Sequence, residues 1–239
     1  MDKNLTLFCI PYAGGSARVY YRWKKLLHPR IEVVPIELAG RGERYKEPFY
    51  LDFNQAVDDV YRIINSRLER DMKFAIFGHS MGGYIAYELY NLVPKENLIH
   101  IYFSGLRPPH LGIEDKKINE LDREGLVREL VRLGGTPQEI IDQPEFLNMF
   151  LPILRADFNI MAKYKHLNHT LIQKPISILY GLKDHIRKEE VFEWASYTTK
   201  TNNCNFYPFS GGHFFIQENE QQVINIINEI SKQTNYLSY

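Results

Sequence analysis

Residues 78–83 have the sequence GHSMGG, and this stretch decides the fold. It follows the apolar run Lys73–Gly78, which predicts a strand, and it opens the helical pattern Met81–Val93. A serine between two glycines at such a junction is typical of a tight strand-to-helix turn that presents the hydroxyl above a sheet edge. Glycines suit positions 78 and 82 because side chains there would clash with the neighbouring strand and helix. The motif alone leaves open an ordinary glycine-rich turn.

On both sides of this turn, the chain alternates between short apolar runs and segments with helical periodicity. Strands are predicted at Leu5–Ile10, Ile31–Leu38, Lys73–Gly78, Leu98–Ser104, Ile176–Tyr180 and Cys204–Phe209. Helices are predicted at Ser16–His28, Phe53–Arg70, Met81–Val93, Glu189–Tyr197 and Glu220–Lys232. The alternation predicts an α/β fold, with a mostly parallel central sheet and helices on both faces.

One segment, residues 107–166, breaks the alternation because it contains helical signals only. An apolar stripe in it ends at Gly134-Gly135, which is typical of a helix C-terminus. Thr136-Pro137-Gln138-Glu139 and Asp142-Gln143-Pro144-Glu145 both have the residues of a helix start. Pro152 is expected to kink or break the helix that follows. We predict a helical lid over the active edge of the sheet, and an extra packing layer is the alternative.

The composition is that of a single globular domain, residues 1–239, and 44% of its residues are hydrophobic. Lys+Arg and Asp+Glu each number 29, which argues against a nucleic-acid binder because such a protein needs a basic excess. No apolar run approaches the roughly 20 residues of a membrane span. Cys9 and Cys204 predict neither a disulfide framework nor a zinc site. We therefore expect a cytoplasmic protein with reduced thiols and no metal.

Two further residues are needed to activate a serine, since its hydroxyl is a useful nucleophile only when a base accepts the proton. The predicted base is His213, in the glycine-rich loop Ser210–His213 after the last predicted strand. An acid must orient that base, and Asp184 follows the strand Ile176–Tyr180. The order Ser80, Asp184, His213 is the one that accompanies such a turn in this architecture.

Other residues are alternatives for these two roles. His79 adjoins Ser80 but is expected to point away from it, while His110 and His185 are weaker rivals for the base. Asp157, in the predicted lid, is the rival acid, although it would have to reach the site from a mobile element.

Two backbone N–H groups are predicted to stabilise the oxyanion that forms when the serine attacks a carbonyl. One belongs to Met81, the residue after the nucleophile. The other is assigned to Ala13, in the loop Pro11–Gly15 after the first predicted strand, where Gly14 and Gly15 allow close approach to a substrate. The nucleophile, acid, base and this loop each follow a different predicted strand, so a parallel sheet brings all of them to one edge.

Seven strings spread over nearly the whole chain carry a resemblance to one known family. They are IPYAGG at 10–15, AGRGER at 39–44, GHSMGG at 78–83, LVRLGGTP at 130–137, FLPILRADF at 150–158, GLKD at 181–184 and GGHFF at 211–215. The chain resembles the type II, stand-alone thioesterases of non-ribosomal peptide and polyketide synthases. GHSMGG and GGHFF occur in many hydrolases, whereas the strings at 130–137 and 150–158 are typical of this family. Ala39 departs from the family pattern, which usually has proline there.

The resemblance implies an α/β-hydrolase fold and a serine thioesterase without a bound cofactor. The implied substrate is an acyl or aminoacyl group on the phosphopantetheine arm of a carrier protein, from which family members typically remove wrong or stalled groups. The resemblance also agrees with Ser80, Asp184 and His213 as the catalytic residues. Alternatives are the release of medium-chain fatty acids from a synthase, acyl transfer to an alcohol or amine, and a non-catalytic carrier-binding module.

Two further sets of residues are assigned by their position. The lid residues expected to wall an acyl chamber are Phe146, Met149, Phe150, Ile153 and Met161. Each of these is equally explained as core. Arg18, Arg22 and Lys25 share one face of the predicted helix Ser16–His28, and residues 1–30 hold six Lys and Arg against one Asp. Because carrier proteins are usually acidic, we predict transient carrier docking on this face of a monomer, and a merely solvated helix face is the alternative.

Overall fold

A six-stranded parallel sheet forms the centre of the computed structural model, which describes residues 5–113, 118–135, 141–167, 169–199 and 203–233. The strands are β1 (Leu5–Ile10), β2 (Ile31–Pro35), β3 (Phe74–His79), β4 (Leu98–Ser104), β5 (Ile176–Gly181) and β6 (Cys204–Phe209). Their order is β2-β1-β3-β4-β5-β6, and every neighbouring pair is parallel. The predicted α/β fold with a parallel sheet is confirmed, although β2 ends at Pro35 rather than Leu38.

Helices flank the sheet on both sides. In the described ranges they are α1 (Trp23–Leu26), α2 (Phe53–Asn65), α3 (Met81–Leu89), α4 (Arg123–Leu133), α5 (Pro144–Lys163), α6 (Lys188–Phe192), α7 (Phe215–Glu218) and α8 (Glu220–Gln233). None of these helices is long and apolar enough to cross a membrane.

The predicted helix Ser16–His28 is divided into two parts. Ala17–Tyr20 forms a 3₁₀ turn, and α1 follows it. Because the 3₁₀ turn repeats every three residues, it places Ala17 and Tyr20 in line with Trp23, and all three are buried. A regular α-helix would have buried Val19 instead, which is only half-buried.

Apolar side chains alternate between the two faces of the sheet and build a core on each. In β1, Phe8 and Ile10 contribute to one core, whereas Leu7 and Cys9 contribute to the other. Side chains of α2 and α3 complete the first core, and side chains of α1 and α8 complete the second. Burial on both faces is typical of parallel strands, and it explains why every residue of β1 and β3 is buried.

Helices α4 and α5 lie between β4 and β5, within the segment predicted as a lid. They pack on each other through Leu126, Leu130, Leu147, Leu151 and Leu154. α4 ends at Leu133, and the next residue, Gly134, has a φ of +74°, which glycine adopts more readily than other residues. Pro152 lies inside α5 without ending it, so the predicted break does not occur. The helix start predicted at 136–139 lies outside the described residues, and a lid role for this segment stays a prediction.

The buried histidine of β4 should make the protein sensitive to acid. His100 has its Nε2 2.8 Å from the Ser177 hydroxyl, while its Nδ1 has no hydrogen-bond partner, and burial lowers its pKa to about 3. The unfolded chain therefore binds a proton at this residue from about pH 6.5 downward, whereas the folded chain does not until about pH 3. Between pH 7.5 and 5, this difference should lower the unfolding free energy of the wild type by about 2 kcal/mol. The His100→Gln variant has no imidazole to protonate at this position, so its unfolding free energy should fall by about 2 kcal/mol less over the same pH range.

Urea titrations of both proteins at the two pH values measure this difference. Equal losses of unfolding free energy in the variant and the wild type would contradict a neutral, buried His100.

Candidate active site

Ser80 occupies a strained turn between β3 and α3. Its φ of 52° and ψ of −118° are rare for a residue with a side chain, and its N–H donates to the Ser104 carbonyl at 2.7 Å. A Cβ on Gly78 would overlap the carbonyl of Gly82, and a Cβ on Gly82 would overlap the carbonyl of Ile10 in β1. The glycines therefore let α3 begin close against the sheet, with Ser80 at the carboxyl edge of β3.

The loops after β5 and β6 bring Asp184 and His213 together. Nδ1 of His213 lies 3.0 Å from Oδ2 of Asp184, and the two side chains are only 9% and 1% exposed. The N–H of Leu182 donates to the Phe209 carbonyl at 2.8 Å, which ties one loop to the end of the other strand. Since the carboxylate engages Nδ1, Nε2 is the ring nitrogen left to act as a base. His213 and Ser80 line the same two cavities.

Two histidines keep Asp184 ionised. Burial raises the pKa of this carboxyl, but contacts with His185 and His213 outweigh burial and hold the pKa well below its usual range. Nδ1 of His185 lies 2.7 Å from Oδ1, the oxygen that His213 does not contact. The sequence pattern indicates His185 only as a rival base. Its position directly after Asp184 is the one sequence signal that it also contacts this carboxylate. An ionised carboxylate in this position stabilises the charged form of the neighbouring imidazole.

The other rival histidines do not reach the position of the base. His79 is fully buried, with its Nδ1 2.8 Å from the Ser104 hydroxyl and its ring 5.3 Å from that of His213. Burial and the neighbouring His213 lower the pKa of His79 well below its usual value, so its ring stays neutral. His110 lies against Glu193 instead, with Nε2 2.8 Å from a carboxylate oxygen.

Asp157, the rival acid, is engaged elsewhere. Its two carboxylate oxygens each accept a 2.6 Å hydrogen bond from the guanidinium of Arg41, and Oδ2 also accepts the N–H of Gly14 at 2.7 Å. Asp184, not Asp157, therefore contacts His213. The sequence pattern gave no sign of the contact between Arg41 and Asp157, because these residues are far apart in the chain.

The predicted oxyanion donors lie on two different elements beside Ser80. Met81 is the first residue of α3. Its N–H is therefore one of the donors in the first helical turn that have no acceptor within the helix. Ala13 lies in a turn that is closed by a 2.8 Å hydrogen bond from the Gly15 N–H to the Tyr12 carbonyl. Ala13, Ser80 and Met81 all line one cavity, and their assignment to an oxyanion hole stays a prediction.

Two cavities meet at Ser80 and His213. The larger measures about 100 Å³ and extends towards the loop after β4, and the smaller measures about 40 Å³ and lies beside the oxyanion turn. Phe158 of α5 lines both cavities. The sequence pattern did not single out Phe158, although it belongs to the string at 150–158.

The structure brings only part of the predicted chamber wall to these cavities. Met161 lines the larger cavity and Phe150 lines the smaller one, whereas Ile153 is half-buried and lines neither. Phe146 and Met149 are 53% and 72% exposed, so their assignment to the wall is corrected here. The cause is the helical repeat, since the leucines of α5 face inward and these two side chains lie on the opposite face.

Comparisons with known proteins agree with this geometry. Residues 5–233 match the family described as Thioesterase domain. The chain belongs to the thioesterase family. It is 32% identical over 225 residues to the gramicidin S biosynthesis protein GrsT of Aneurinibacillus migulanus, a match that covers 92% of this chain and 86% of that protein. It is 31% identical to the medium-chain S-acyl fatty acid synthase thioesterase of Rattus norvegicus, with 95% and 88% covered.

A solved structure supports the same conclusion about this thioesterase. The type II thioesterase BorB from the borrelidin biosynthetic cluster superposes with a TM-score of 0.86 at 28% identity, over 96% of this chain and 93% of BorB. The α/β-hydrolase fold and the resemblance to type II thioesterases are therefore confirmed, and the protein is a thioester hydrolase.

A metal ion would find one group of ligands in the described part of this thioesterase. Ligand atoms of Asp184, His185 and His213 lie within 4.8 Å of one another. The direct contacts of both histidines with the carboxylate explain this grouping without an ion. The absence of a metal stays a prediction.

The contact of Gly82 with β1 gives a test of the turn. In a helix, Gly→Ala ordinarily raises the unfolding free energy by about 0.5–1 kcal/mol. Here the new Cβ would overlap the Ile10 carbonyl, so we expect Gly82→Ala to lower the unfolding free energy by about 1–3 kcal/mol and to abolish thioester hydrolysis. Urea titration and a thioester assay measure both effects.

Gly112→Ala is the matched control for this substitution. Gly112 has a φ of +70°, a ψ of −175° and no atoms within 4 Å of an added Cβ, so the variant should lose about 1–3 kcal/mol of stability through backbone strain alone and keep its activity. A Gly82→Ala protein as stable and active as the wild type would show that α3 does not pack against β1 in this way.

Proposed function

We propose that this thioesterase hydrolyses acyl and aminoacyl groups from the phosphopantetheine arm of synthase carrier proteins, and so regenerates carriers that hold a wrong or stalled group. In this proposal Ser80 is the nucleophile, His213 the base and Asp184 the orienting acid. The observation that carries it is the pairing of His213 with the buried, ionised Asp184 beside cavities that also contain Ser80. The relatives from gramicidin S biosynthesis and from the borrelidin biosynthetic cluster support the same substrate class.

The first half of the reaction forms an acyl-enzyme. Ser80 Oγ loses its proton to Nε2 of His213 and attacks the thioester carbonyl. The negative oxygen binds the N–H groups of Met81 and Ala13, and each such donor contributes about 3 kcal/mol to lowering the barrier. The C–S bond then breaks, and the pantetheine sulfur leaves as a thiolate that takes the proton from His213.

The second half releases the acyl group as a free acid. A water molecule gives a proton to Nε2 of His213 and attacks the carbonyl carbon of acyl-Ser80. The same two N–H groups stabilise the second oxyanion, after which the ester bond breaks and His213 returns the proton to Ser80. Asp184 stays ionised throughout, because His185 and His213 hold its pKa low.

The small volume of the larger cavity favours a short acyl group. Its volume of about 100 Å³ is below the ~150 Å³ of an engineered cavity that binds benzene. Charged side chains line it beside apolar ones, namely Arg107, Glu129 and Arg132. Release of a medium-chain fatty acid is the second candidate, favoured by the similarity to the medium-chain thioesterase of Rattus norvegicus, and it requires a longer chamber.

A basic surface beside the oxyanion turn supports docking of an acidic carrier. Arg18, Arg22 and Lys25 are all exposed, and the backbone between them stays right-handed helical at Tyr21 and Arg22 even though the predicted helix is divided. Arg22 lies 3.3 Å from Glu220, but 78% of its side chain is exposed, so this ion pair is weak and leaves the cation open to a partner. The first of these residues, Arg18, follows Gly15 of the oxyanion turn by three positions in the chain.

Mass spectrometry of acyl-loaded carrier proteins tests the proposed reaction. The panel contains short acyl, aminoacyl and medium-chain fatty acyl carriers, each treated with the wild type, Ser80→Ala and His213→Ala. We expect loss of the short acyl and aminoacyl masses to the free carrier thiol with the wild type only, because the variants lack the nucleophile or its base.

The products distinguish the alternatives. A free acid indicates hydrolysis, an ester or amide indicates acyl transfer, and selective removal of medium chains indicates chain release. Deacylation by His213→Ala at the wild-type rate would remove His213 from its role, and intact carriers after wild-type treatment would leave only a binding function.

Charge reversal tests the docking surface. We expect Arg18→Glu/Arg22→Glu to raise the KM for acyl carriers about tenfold, because the acidic partner then meets like charges, and to leave the KM for a small acyl thioester unchanged. Lys73→Glu is the control, since Lys73 lies before β3 at the opposite edge of the sheet. An equal rise for both substrates would contradict docking on this face.

A further inference from the structure

The carboxylate of Asp157 joins three separate segments of the chain. It belongs to α5, it accepts both guanidinium N–H₂ groups of Arg41 from the loop after β2, and it accepts the N–H of Gly14 from the oxyanion turn. The side chains of Arg41 and Asp157 are 2% and 1% exposed. This buried ion pair therefore lies directly against the turn that carries Ala13, because Asp157 accepts a hydrogen bond from that turn.

The N–H that Asp157 accepts decides the shape of the turn. Tyr12 and Gly15 close a four-residue turn in which Gly14 has a φ of +79° while Ala13 does not have a positive φ, and that combination is a type II turn. A type II turn differs from a type I turn in the orientation of the peptide between its two central residues, here Ala13 and Gly14. By accepting the N–H of that peptide, Asp157 favours the type II orientation.

Arg41 fixes the carboxylate and the far end of the same turn. Besides its two hydrogen bonds to Asp157, its Nη1 donates to the carbonyl of Gly15 at 3.2 Å and its Nε to the carbonyl of Ala39 at 3.4 Å. Gly14 itself is pressed against Phe150, whose ring would lie 2.8 Å from an added Cβ. The turn is thus held by α5 from one side and by Arg41 from the other.

We propose that Asp157 is a positioning residue for the oxyanion hole. It sets the turn through the Gly14 N–H, so that the neighbouring Ala13 N–H meets the developing oxyanion, and Arg41 holds Asp157 in place. This proposal rests on the Ser80 mechanism given above. Because Asp157 precedes Phe158 in α5, the same helix that sets the oxyanion turn also lines both cavities.

Two double variants isolate the acceptor for the Gly14 N–H. Arg41→Met/Asp157→Leu and Arg41→Met/Asp157→Asn both remove the buried charges together, which avoids leaving either charge unpaired. The two variants differ only at position 157. Leucine and asparagine have nearly the same shape, but only asparagine offers an oxygen to the Gly14 N–H. With a short acyl thioester of N-acetylcysteamine, we expect the leucine variant to lose about 10- to 100-fold in kcat. The asparagine variant should lose no more than about threefold, and KM should change less than twofold in both.

Binding of a short alkylboronic acid provides a second readout. This compound forms a tetrahedral adduct with the active serine and places an oxygen in the oxyanion hole, so its affinity should fall in parallel with kcat in the leucine variant. Asp59→Asn is the control, since it breaks the ion pair with Arg44, formed at 2.6 Å, without touching the oxyanion turn. It should lower Tm without lowering kcat or the boronic acid affinity.

Equal kcat and equal boronic acid affinity in the two double variants would overturn the proposal. A loss of kcat that parallels the loss of Tm in every variant, including Asp59→Asn, would also overturn it. If the leucine variant does not fold, Asp157→Ala in the Arg41→Met background removes the acceptor instead and is judged by the same comparison. Hydrolysis by Ser80→Ala would contradict the Ser80 mechanism itself, which separates that failure from a failure of the positioning role.

Discussion

The close packing of α3 against β1 and β3 holds Ser80 in a conformation that it would not adopt alone. A residue with a side chain at a φ of 52° is strained by about 1–3 kcal/mol, and the surrounding structure has to offset that cost. The offset comes from backbone contacts that only Gly78 and Gly82 permit, and from the hydrogen bond between Ser80 N–H and the carbonyl of Ser104. Every other part of the site is arranged around a hydroxyl fixed in this way.

The parallel sheet supplies that arrangement from segments far apart in the chain. The loops after β1, β3, β5 and β6 carry Ala13, Ser80, Asp184 and His213, and all four strands end at the same edge. Electrostatics then separates the histidines by environment. His79 is buried and kept neutral, whereas His213 contacts a carboxylate that stays ionised because two imidazoles lie against it. One ring is therefore suited to packing and the other to proton transfer.

The strands, and the meeting of Ser80, Asp184 and His213 at one edge of the sheet, could be predicted from the sequence because they rest on local patterns. Short apolar runs mark the strands, and a catalytic side chain needs only to follow one of them. Contacts between distant segments leave no such pattern, which is why the pairing of Arg41 with Asp157 was not foreseen. The outward position of Phe146 and Met149 was missed for a related reason, since α5 is apolar nearly all round and its buried face is decided by α4.

The burial of Arg41 and Asp157 is better explained by geometry than by stability. Removing two charges from water costs several kcal/mol per ion, and a well-packed apolar pair of the same volume often stabilises a core as well or better. An apolar pair, however, has no oxygen for the Gly14 N–H, which would then lose its partner in a turn that must keep one shape. Arg41 in turn provides the two donors that keep this oxygen in place. The ion pair thus gives the oxyanion turn a fixed polar support that packing alone does not provide.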